Sequence, residues 1–360
     1  MLIGIFGTGR NGSTLLGHLL DGLQDTYVHP IEENFLSASD DLLLRGRVTR
    51  LVGQHCTTRS LSNYGGAISP RLLEKCYRQS LTTLRSHFLE TIGLPCNLTE
   101  LELGDIVAEH PMTIEEFVPS FLKGIAVRVR PDIEFRHFLF KTIEVPYIVD
   151  YERRFPDMKF VHIVRDPVTT CSSQKRTLME AKCLPASYLG YDWLTCMINK
   201  RWLPHAQFLA SRRGDSRHIL VRYEDLVVQP RAEISRIADG LGLAPPPRPT
   251  TQTIFYDLDK TKWGSNPSMK GVDSVIEAVP DLQERNRYDE VLTKREIDLI
   301  AVKTRDFLLG LGYQSPSDAT LGKVVAQYLT LDKWELMHCN TPHYLVRGLI
   351  GLLYRRATLF

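Results

Sequence analysis

The first residues that could do chemistry lie in the stretch GTGRNGSTLL, which starts at Gly7. Its glycines let the backbone turn tightly, and a helical pattern follows, so the first N–H groups of that helix can bind an anion. A nucleoside-triphosphate loop has lysine directly after its last glycine. Here Ser13 follows Gly12, and the cation is Arg10, two residues before that glycine. The stretch therefore predicts a site for a different anion, and the alternative is a turn that only packs a strand on a helix.

The elements around the loop are those that such a site requires. Residues 2–6 are apolar and predict a buried strand, and the leucines of residues 15–23 recur at helical spacing. Two further apolar runs, 160–164 and 218–222, each precede a helical pattern. Together with the loop, the alternation of strands and helices predicts an α/β fold of the P-loop type. In this three-layer fold a central parallel sheet is the middle layer. Ligands of such a sheet bind beyond the carboxyl ends of its strands.

Composition and charge narrow the class of protein. With 360 residues, 43% of them hydrophobic, the chain can bury a large core. A net charge of +2 argues against a nucleic-acid partner. Seven cysteines without a C-x-x-C pair favour reduced thiols over disulfides or zinc. A strand from residue 2 leaves no room for a signal peptide, and no apolar stretch approaches the roughly 18 residues of a membrane span. We therefore expect a cytoplasmic protein.

The loop, as G-x-x-R-x-G-[S/T]-T-L-L, resembles the 5′-phosphosulfate loop of sulfotransferases that use 3′-phosphoadenosine 5′-phosphosulfate (PAPS). The resemblance implies that Arg10 stabilises the leaving group, because the bridging oxygen gains charge as the P–O–S link breaks. It implies PAPS as the donor cosubstrate and adenosine 3′,5′-bisphosphate as the product. The sequence has no H-E-x-x-H motif and no clustered acidic triad, so we expect no metal. The implied donor contacts in this loop are Gly9, Arg10, Asn11, Gly12, Ser13, Thr14 and Leu15.

A second anion site is implied after the apolar run at 160–164. The family has an arginine after this strand and a serine eight residues later, both on the 3′-phosphate, and Arg165 and Ser173 have that spacing. The planar fork of arginine suits bidentate phosphate binding. Asp166 and Pro167 predict a helix cap with proline at the first helical position. The alternative for Arg165 is a surface arginine paired with Asp166.

Two later segments extend the resemblance. VRYEDL, residues 221–226, is similar to the family's Y-E-D-L segment, which makes Tyr223 a candidate adenine contact; the alternative is a core tyrosine at a strand end. KWGSNPSMKG, residues 262–271, is similar to a glycine-rich segment that closes over the nucleotide. Asn266 and Lys270 are its candidate donor contacts, and the alternative is a polar surface loop.

The acceptor side requires a group that takes the hydroxyl proton. Cytosolic members use the histidine of a K-T-H segment, and this chain has Ile143 in that place. Lys141 stands where the lysine of that segment stands and is expected to face the sulfuryl group. The carbohydrate and tyrosylprotein branch uses a glutamate after the first helix, which the chain matches better. The candidate bases are Glu33, then Glu32, then Glu144, against the alternative that the first two are surface acids.

These observations predict a PAPS-dependent sulfotransferase whose acceptor offers a hydroxyl or amine, as a carbohydrate, a lipid-linked glycan or a small metabolite does. The alternatives are a P-loop nucleotide kinase or NTP-binding protein, and a donor-binding relative without activity. We expect a sulfotransferase domain over residues 1–315, with a helical acceptor-binding insertion at 35–135, and a helical extension at 316–360. That extension either contacts a membrane surface or packs on the core or on a second subunit, as in a homodimer.

Overall fold

The computed structural model describes residues 1–33, 35, 112–129, 133–143, 145–180, 194, 196–245 and 291–324. These residues form two units. The first unit contains the described residues up to Arg165 and those from Arg212 to residue 245. The second contains the described residues from Asp166 to Ser211 and those from residue 291 onward.

A parallel sheet of five strands forms the centre of the first unit, in the order β2-β3-β1-β4-β5. The strands are β1 (Leu2–Phe6), β2 (Thr26–Glu32), β3 (His137–Thr142), β4 (Lys159–Val164) and β5 (His218–Arg222). Strand β1 is central, so the loop that follows it lies between the carboxyl ends of β3 and β4. Ligands of an open α/β sheet bind in this position, where the strand order reverses.

Helices cover both faces of this sheet. The helices of the first unit are α1 (Ser13–Leu20), α2 (Ile114–Val129), α3 (Ile148–Arg154), α6 (Tyr223–Val228) and α7 (Pro230–Leu241), with a 3₁₀ turn at Val145–Tyr147. On one face α1 packs on β2 and β3, and its leucines are at most 4% exposed. On the other face the ring of Tyr151 in α3 meets Phe6 edge-on at 5.2 Å. The predicted α/β class with a central parallel sheet is therefore confirmed.

The second unit is helical in its described part. It contains α4 (Pro167–Glu180), a π-helix (Cys196–Trp202), α5 (Leu203–Ser211), α8 (Lys294–Leu308) and a 3₁₀ turn (Leu309–Leu311). Asp166 Oδ1 accepts a hydrogen bond from the Thr169 N–H at 2.8 Å, so the predicted cap of α4, with Pro167 at its first position, is confirmed. Apolar residues of α4 and α8 share one core with Ala319 and Val324.

A buried ion pair and a capping box share one carboxylate in this unit. Lys175 Nζ lies 2.8 Å from both carboxylate oxygens of Glu296, with side-chain exposures of 13% and 7%. Glu296 also accepts a hydrogen bond from the backbone N–H of Thr293, which begins α8 as a capping box.

Glu296→Gln is expected to lower the free energy of unfolding by about 3 kcal/mol, because it leaves the Lys175 charge without its carboxylate in a nearly buried place. Glutamine retains the capping box, so the loss of unfolding free energy reports the ion pair alone. The measurement is urea unfolding. In the control, Lys175→Met combined with Glu296→Gln removes the stranded charge and should recover most of the loss; an equally unstable double variant would contradict the explanation.

Two regions for which the sequence makes predictions lie mostly outside the described residues. The proposed insertion at 35–135 is described at residue 35, over 112–129 and from 133, and the tail is described to residue 324. The described residues on both sides of the predicted boundary at 315 belong to the second unit, and the domain division stays a prediction. No helix in the described part of the chain has the length and apolar character needed to cross a bilayer.

Candidate active site

The loop after β1 presents the first turn of α1 to a ligand. Gly9, Arg10 and Gly12 have positive φ angles of 80°, 56° and 92°, which turn the chain sharply into the helix. The first helical hydrogen bond runs from the Leu16 N–H to the Gly12 carbonyl at 2.9 Å, and no side chain caps this helix. The N–H groups of residues 13–15 therefore have no intrahelical partner and favour an anion.

The end of β4 braces this loop. Asn11 Nδ2 donates to the Ile163 carbonyl at 2.6 Å, and Asn11 is 0% exposed. Its amide also fills the space at Gly7, where an added Cβ would lie 2.1 Å from Asn11 Nδ2. Arg165, which follows β4, donates from Nη1 to the Arg10 carbonyl at 3.3 Å. Two predicted donor contacts, Asn11 and Arg165, thus also hold the loop in place.

Gly12→Ala is expected to destabilise the protein by about 2 kcal/mol or more. Its φ of 92° strains any residue with a Cβ, and that Cβ would lie 2.3 Å from the Tyr223 ring. The matched control is Gly17→Ala in α1, where an added Cβ meets nothing within 4 Å and alanine favours the helix by roughly 0.5–1 kcal/mol. Urea unfolding of both variants is the measurement, and equal stabilities would contradict the prediction.

Lys141 brings a cation to the same loop from β3. Its Nζ donates to Thr14 Oγ1 at 3.1 Å, and the residue is 8% exposed. Burial lowers the pKa of Lys141 to about 8, and the nearby Glu32 carboxylate offsets part of this shift. The ammonium is therefore held beside the first turn of α1, and it loses its charge near pH 8.

His18 is a neighbour of Lys141 and was not among the predicted site residues. It lies one turn after Thr14 on α1 and is 8% exposed. Burial, together with the Lys141 charge, lowers the pKa of His18 to about 3, so its imidazole is neutral. The four-residue spacing from Thr14 places both residues on one helix face, and this is the sequence signal for their proximity.

An irregularity in β2 sets the position of Glu32. The pairing of β2 with β3 runs in register from Thr26 to Val28 and then shifts, so that Glu32 pairs with Lys141. Two extra residues are therefore inserted in β2, in a segment that contains Pro30. Such bulges re-aim side chains near functional sites. Residues paired in a parallel sheet point to the same face, so Glu32 and Lys141 both leave the sheet on the α1 face.

Glu33 points to the other face and is enclosed. It is 0% exposed, and its Oε1 lies 3.3 Å from Nε2 of His29. His29 Nδ1 lies 3.1 Å from the Tyr27 hydroxyl, and the imidazole meets the ring of Phe121 edge-on. Glu33 thus belongs to a buried polar chain on the sheet face opposite Lys141.

The other predicted site residues lie in the first unit, in the second unit or outside the described residues. Tyr223 begins α6, is 7% exposed, and has its ring under the Arg165 guanidinium, whose Cζ is 4.3 Å from the ring centroid. Ser173 is half-buried in α4 of the second unit, where its carbonyl accepts from Thr177 Oγ1 at 2.9 Å. Its role at the 3′-phosphate stays a prediction. Asn266, Lys270 and Glu144 lie outside the described residues.

A separate polar cluster lies at the amino-terminal end of the sheet. Glu152, Asp215 and His218 have ligand atoms within 4.8 Å of one another, a spacing that could hold a metal ion. However, Arg212 pairs with both oxygens of Glu152 at 2.9 Å, and Arg217 lies 3.3 Å from Asp215 Oδ2. Guanidinium groups therefore already neutralise these carboxylates, and the cluster is an ion-pair network.

The sequence itself assigns this arrangement to a family. Residues 3–247 match the model of the sulfotransferase family, a span of more than half of the chain. The chain belongs to the sulfotransferase family. The predicted membership is confirmed, and the chain is a transferase of the sulfuryl group; the predicted branch stays a prediction.

Solved sulfotransferase structures resemble this one at low sequence identity. The sulfotransferase domain from the curacin biosynthetic pathway is 16% identical, with a TM-score of 0.49, over 87% of this chain and 98% of that chain. A sulfotransferase from Mycobacterium avium is 14% identical, with a TM-score of 0.45, over 87% and 77%. A mouse sulfotransferase complexed with PAP is 12% identical, with a TM-score of 0.37, over 86% of each chain. No curated protein sequence matches the chain.

Proposed function

We propose that this sulfotransferase takes its sulfuryl group from PAPS and transfers it to a hydroxyl or amine of its acceptor. The observation that carries the proposal is the pair of cationic groups around one uncapped helix start. Arg10 lies in the loop that leads into α1, and Arg165 donates to the carbonyl of Arg10. PAPS has anionic groups on both its 5′ and its 3′ oxygens, so it requires two such groups near each other.

The residues of the loop fit this donor better than they fit a magnesium-bound triphosphate. Ser13 stands where a triphosphate loop has its lysine. The ring of Tyr223 packs directly on Gly12, and the backbone N–H groups of α1 remain available to an anion. This loop therefore supports binding of a 5′-phosphosulfate through backbone N–H groups and Arg10, without a lysine after the glycine.

Each residue of the site has a distinct task in this proposal. Bound PAPS supplies an activated sulfuryl group, whose bond to the 5′-phosphate oxygen breaks as the acceptor oxygen or nitrogen attacks sulfur. Arg10 and the N–H groups of α1 stabilise the charge that develops on that phosphate oxygen. Lys141, held beside Thr14 at 3.1 Å, neutralises the oxygens of the sulfuryl group.

Glu32 is the general base in this proposal, because it shares the α1 face of the sheet with Lys141. Its carboxylate takes the proton of the attacking group. Glu33 is the first candidate base from the sequence, but its side chain is fully buried against His29 on the other face. The use of a carboxylate also favours the carbohydrate and tyrosylprotein branch, since Ile143 occupies the place of the histidine base.

The acceptor is a carbohydrate, a lipid-linked glycan or a small metabolite in this proposal. Residues 35–135 are the candidate acceptor-binding region, of which α2 is the main described element. The contact of the tail with a membrane or a second subunit stays a prediction, because most of it lies outside the described residues.

Calorimetric titration with two nucleotides tests the choice of donor. We expect adenosine 3′,5′-bisphosphate to bind without a metal and more tightly than ATP with magnesium. A preference for ATP, or a strict need for magnesium, would instead favour the alternative of a nucleotide kinase or NTP-binding protein.

Arg10→Ala separates catalysis from binding alone. We expect this variant to lose most transfer activity while it still binds adenosine 3′,5′-bisphosphate, because the α1 N–H groups remain in place. If the wild-type protein binds the bisphosphate and releases none from PAPS with any acceptor of the three classes, the chain is a donor-binding relative without activity.

A further inference from the structure

Tyr223 occupies the space between the loop after β1 and the residue that follows β4. It is the first residue of α6, directly after β5, and only 7% of it is exposed. Its ring has two close neighbours of different kinds, the backbone of Gly12 and the guanidinium of Arg165. Both neighbours belong to the machinery that we propose to hold the donor.

The contact with Gly12 is direct packing of an aromatic ring edge on a backbone. A Cβ added at Gly12 would lie 2.3 Å from Cδ2 of Tyr223 and 2.8 Å from its Cε2. The ring therefore occupies the space beside the residue that precedes α1.

The contact with Arg165 is face-on. Its Cζ lies 4.3 Å from the ring centroid, within the range of a cation–π interaction. Its Nη1 donates to the carbonyl of Arg10 at 3.3 Å, and the residue is 8% exposed. The guanidinium is thus held by the ring on one face and by the loop at one edge, which leaves its plane little freedom to rotate.

We propose that Tyr223 is a positioning residue, which sets the orientation of the Arg165 guanidinium for the donor's 3′-phosphate. This inference rests on the proposed function. The adenine contact expected from the sequence is the competing role of Tyr223, and a comparison of two nucleotides separates the two roles. Bidentate recognition of phosphate requires a correctly oriented guanidinium plane, so loss of the ring should weaken 3′-phosphate binding specifically.

The test compares the dissociation constants of adenosine 3′,5′-bisphosphate and adenosine 5′-monophosphate by calorimetry. In Tyr223→Leu, the bisphosphate is expected to bind about tenfold more weakly, which is the scale of a buried cation–π contact. The monophosphate should bind within about twofold of its wild-type affinity, because it lacks the group that Arg165 recognises. Tyr223→Phe retains the ring and should keep both affinities.

A double variant separates positioning from general damage. Once Arg165→Ala has removed the guanidinium, adding Tyr223→Leu should cause no further loss of bisphosphate affinity. An equal loss for both nucleotides in Tyr223→Leu, or additive losses in the double variant, would overturn the proposal and favour an adenine contact. Tyr223→Met, whose flexible side chain fills the same space, gives the same comparison if the leucine variant does not fold.

The same experiment tells failure of this inference from failure of the proposed function. If the wild-type protein binds the two nucleotides equally, it has no 3′-phosphate site, and both proposals fall. If it prefers the bisphosphate and Tyr223→Leu leaves that preference intact, the positioning role alone is wrong.

Discussion

Replacing Lys141 with methionine is expected to lower kcat by about 10²–10³-fold, the usual loss when one preorganised donor of a charge-stabilising site is removed. The ammonium is nearly buried, and its Nζ lies 3.1 Å from Thr14 Oγ1, so solvent cannot easily replace it. Methionine has a similar length without the charge. Release of adenosine 3′,5′-bisphosphate from PAPS in the presence of acceptor measures the effect.

The pH dependence of kcat/KM is a second test of Lys141. Burial lowers the pKa of Lys141 to about 8, with Glu32 offsetting part of the shift, so the cation is present below that pH and is lost above it. The kcat/KM for PAPS reports the free enzyme and should therefore fall about tenfold per pH unit above this value.

Lys141→Arg is the matched control for that profile. Arginine remains charged throughout the range, so its alkaline limb should be flat even where its kcat is lower than that of the wild type. An unchanged alkaline limb in this variant, or full activity in Lys141→Met, would remove Lys141 from the proposed mechanism.

The second large effect is expected for Glu32→Gln, which should lower kcat by about 10²–10⁴-fold through loss of the general base. Glutamine retains the size and a hydrogen-bonding group but cannot take the acceptor's proton. Initial rates at saturating PAPS and acceptor are the measurement.

Glu33→Gln is the comparison that decides between the adjacent acids. Because Glu33 is 0% exposed and hydrogen-bonded to His29, we expect its replacement to lower the free energy of unfolding and to affect kcat far less than Glu32→Gln. The opposite order of kcat losses would restore the choice made from the sequence.

Much of the fold around the loop after β1 could be predicted from local pattern. The strand at residues 2–6, the helix that starts at Ser13 and the strands near 160 and 218 appear where their apolar spacing predicted them. The cap at Asp166 was also predictable, since cap chemistry depends on neighbours in the chain. These features are local, so the sequence pattern carries them directly.

Two strands were not predicted, and both position the candidate acids and Lys141. β2 contains Pro30 and a bulge, which break the alternation that predicts a strand. β3 ends in Lys141 and Thr142, and its role depends on pairing with β1, more than a hundred residues earlier. The sheet faces on which Glu32 and Glu33 lie could not be predicted, because a bulge decides which face each residue occupies.

By itself, the sequence determined the family, the glycine-rich loop and the cationic residues near it, because these depend on residue type and short spacing. Only the tertiary structure decided that Lys141 reaches Thr14, that Glu32 rather than Glu33 shares its face, and that Tyr223 lies between Gly12 and Arg165. Those contacts join strands distant in the chain. Sheet register and packing bring them together, and neither is a property of any short stretch.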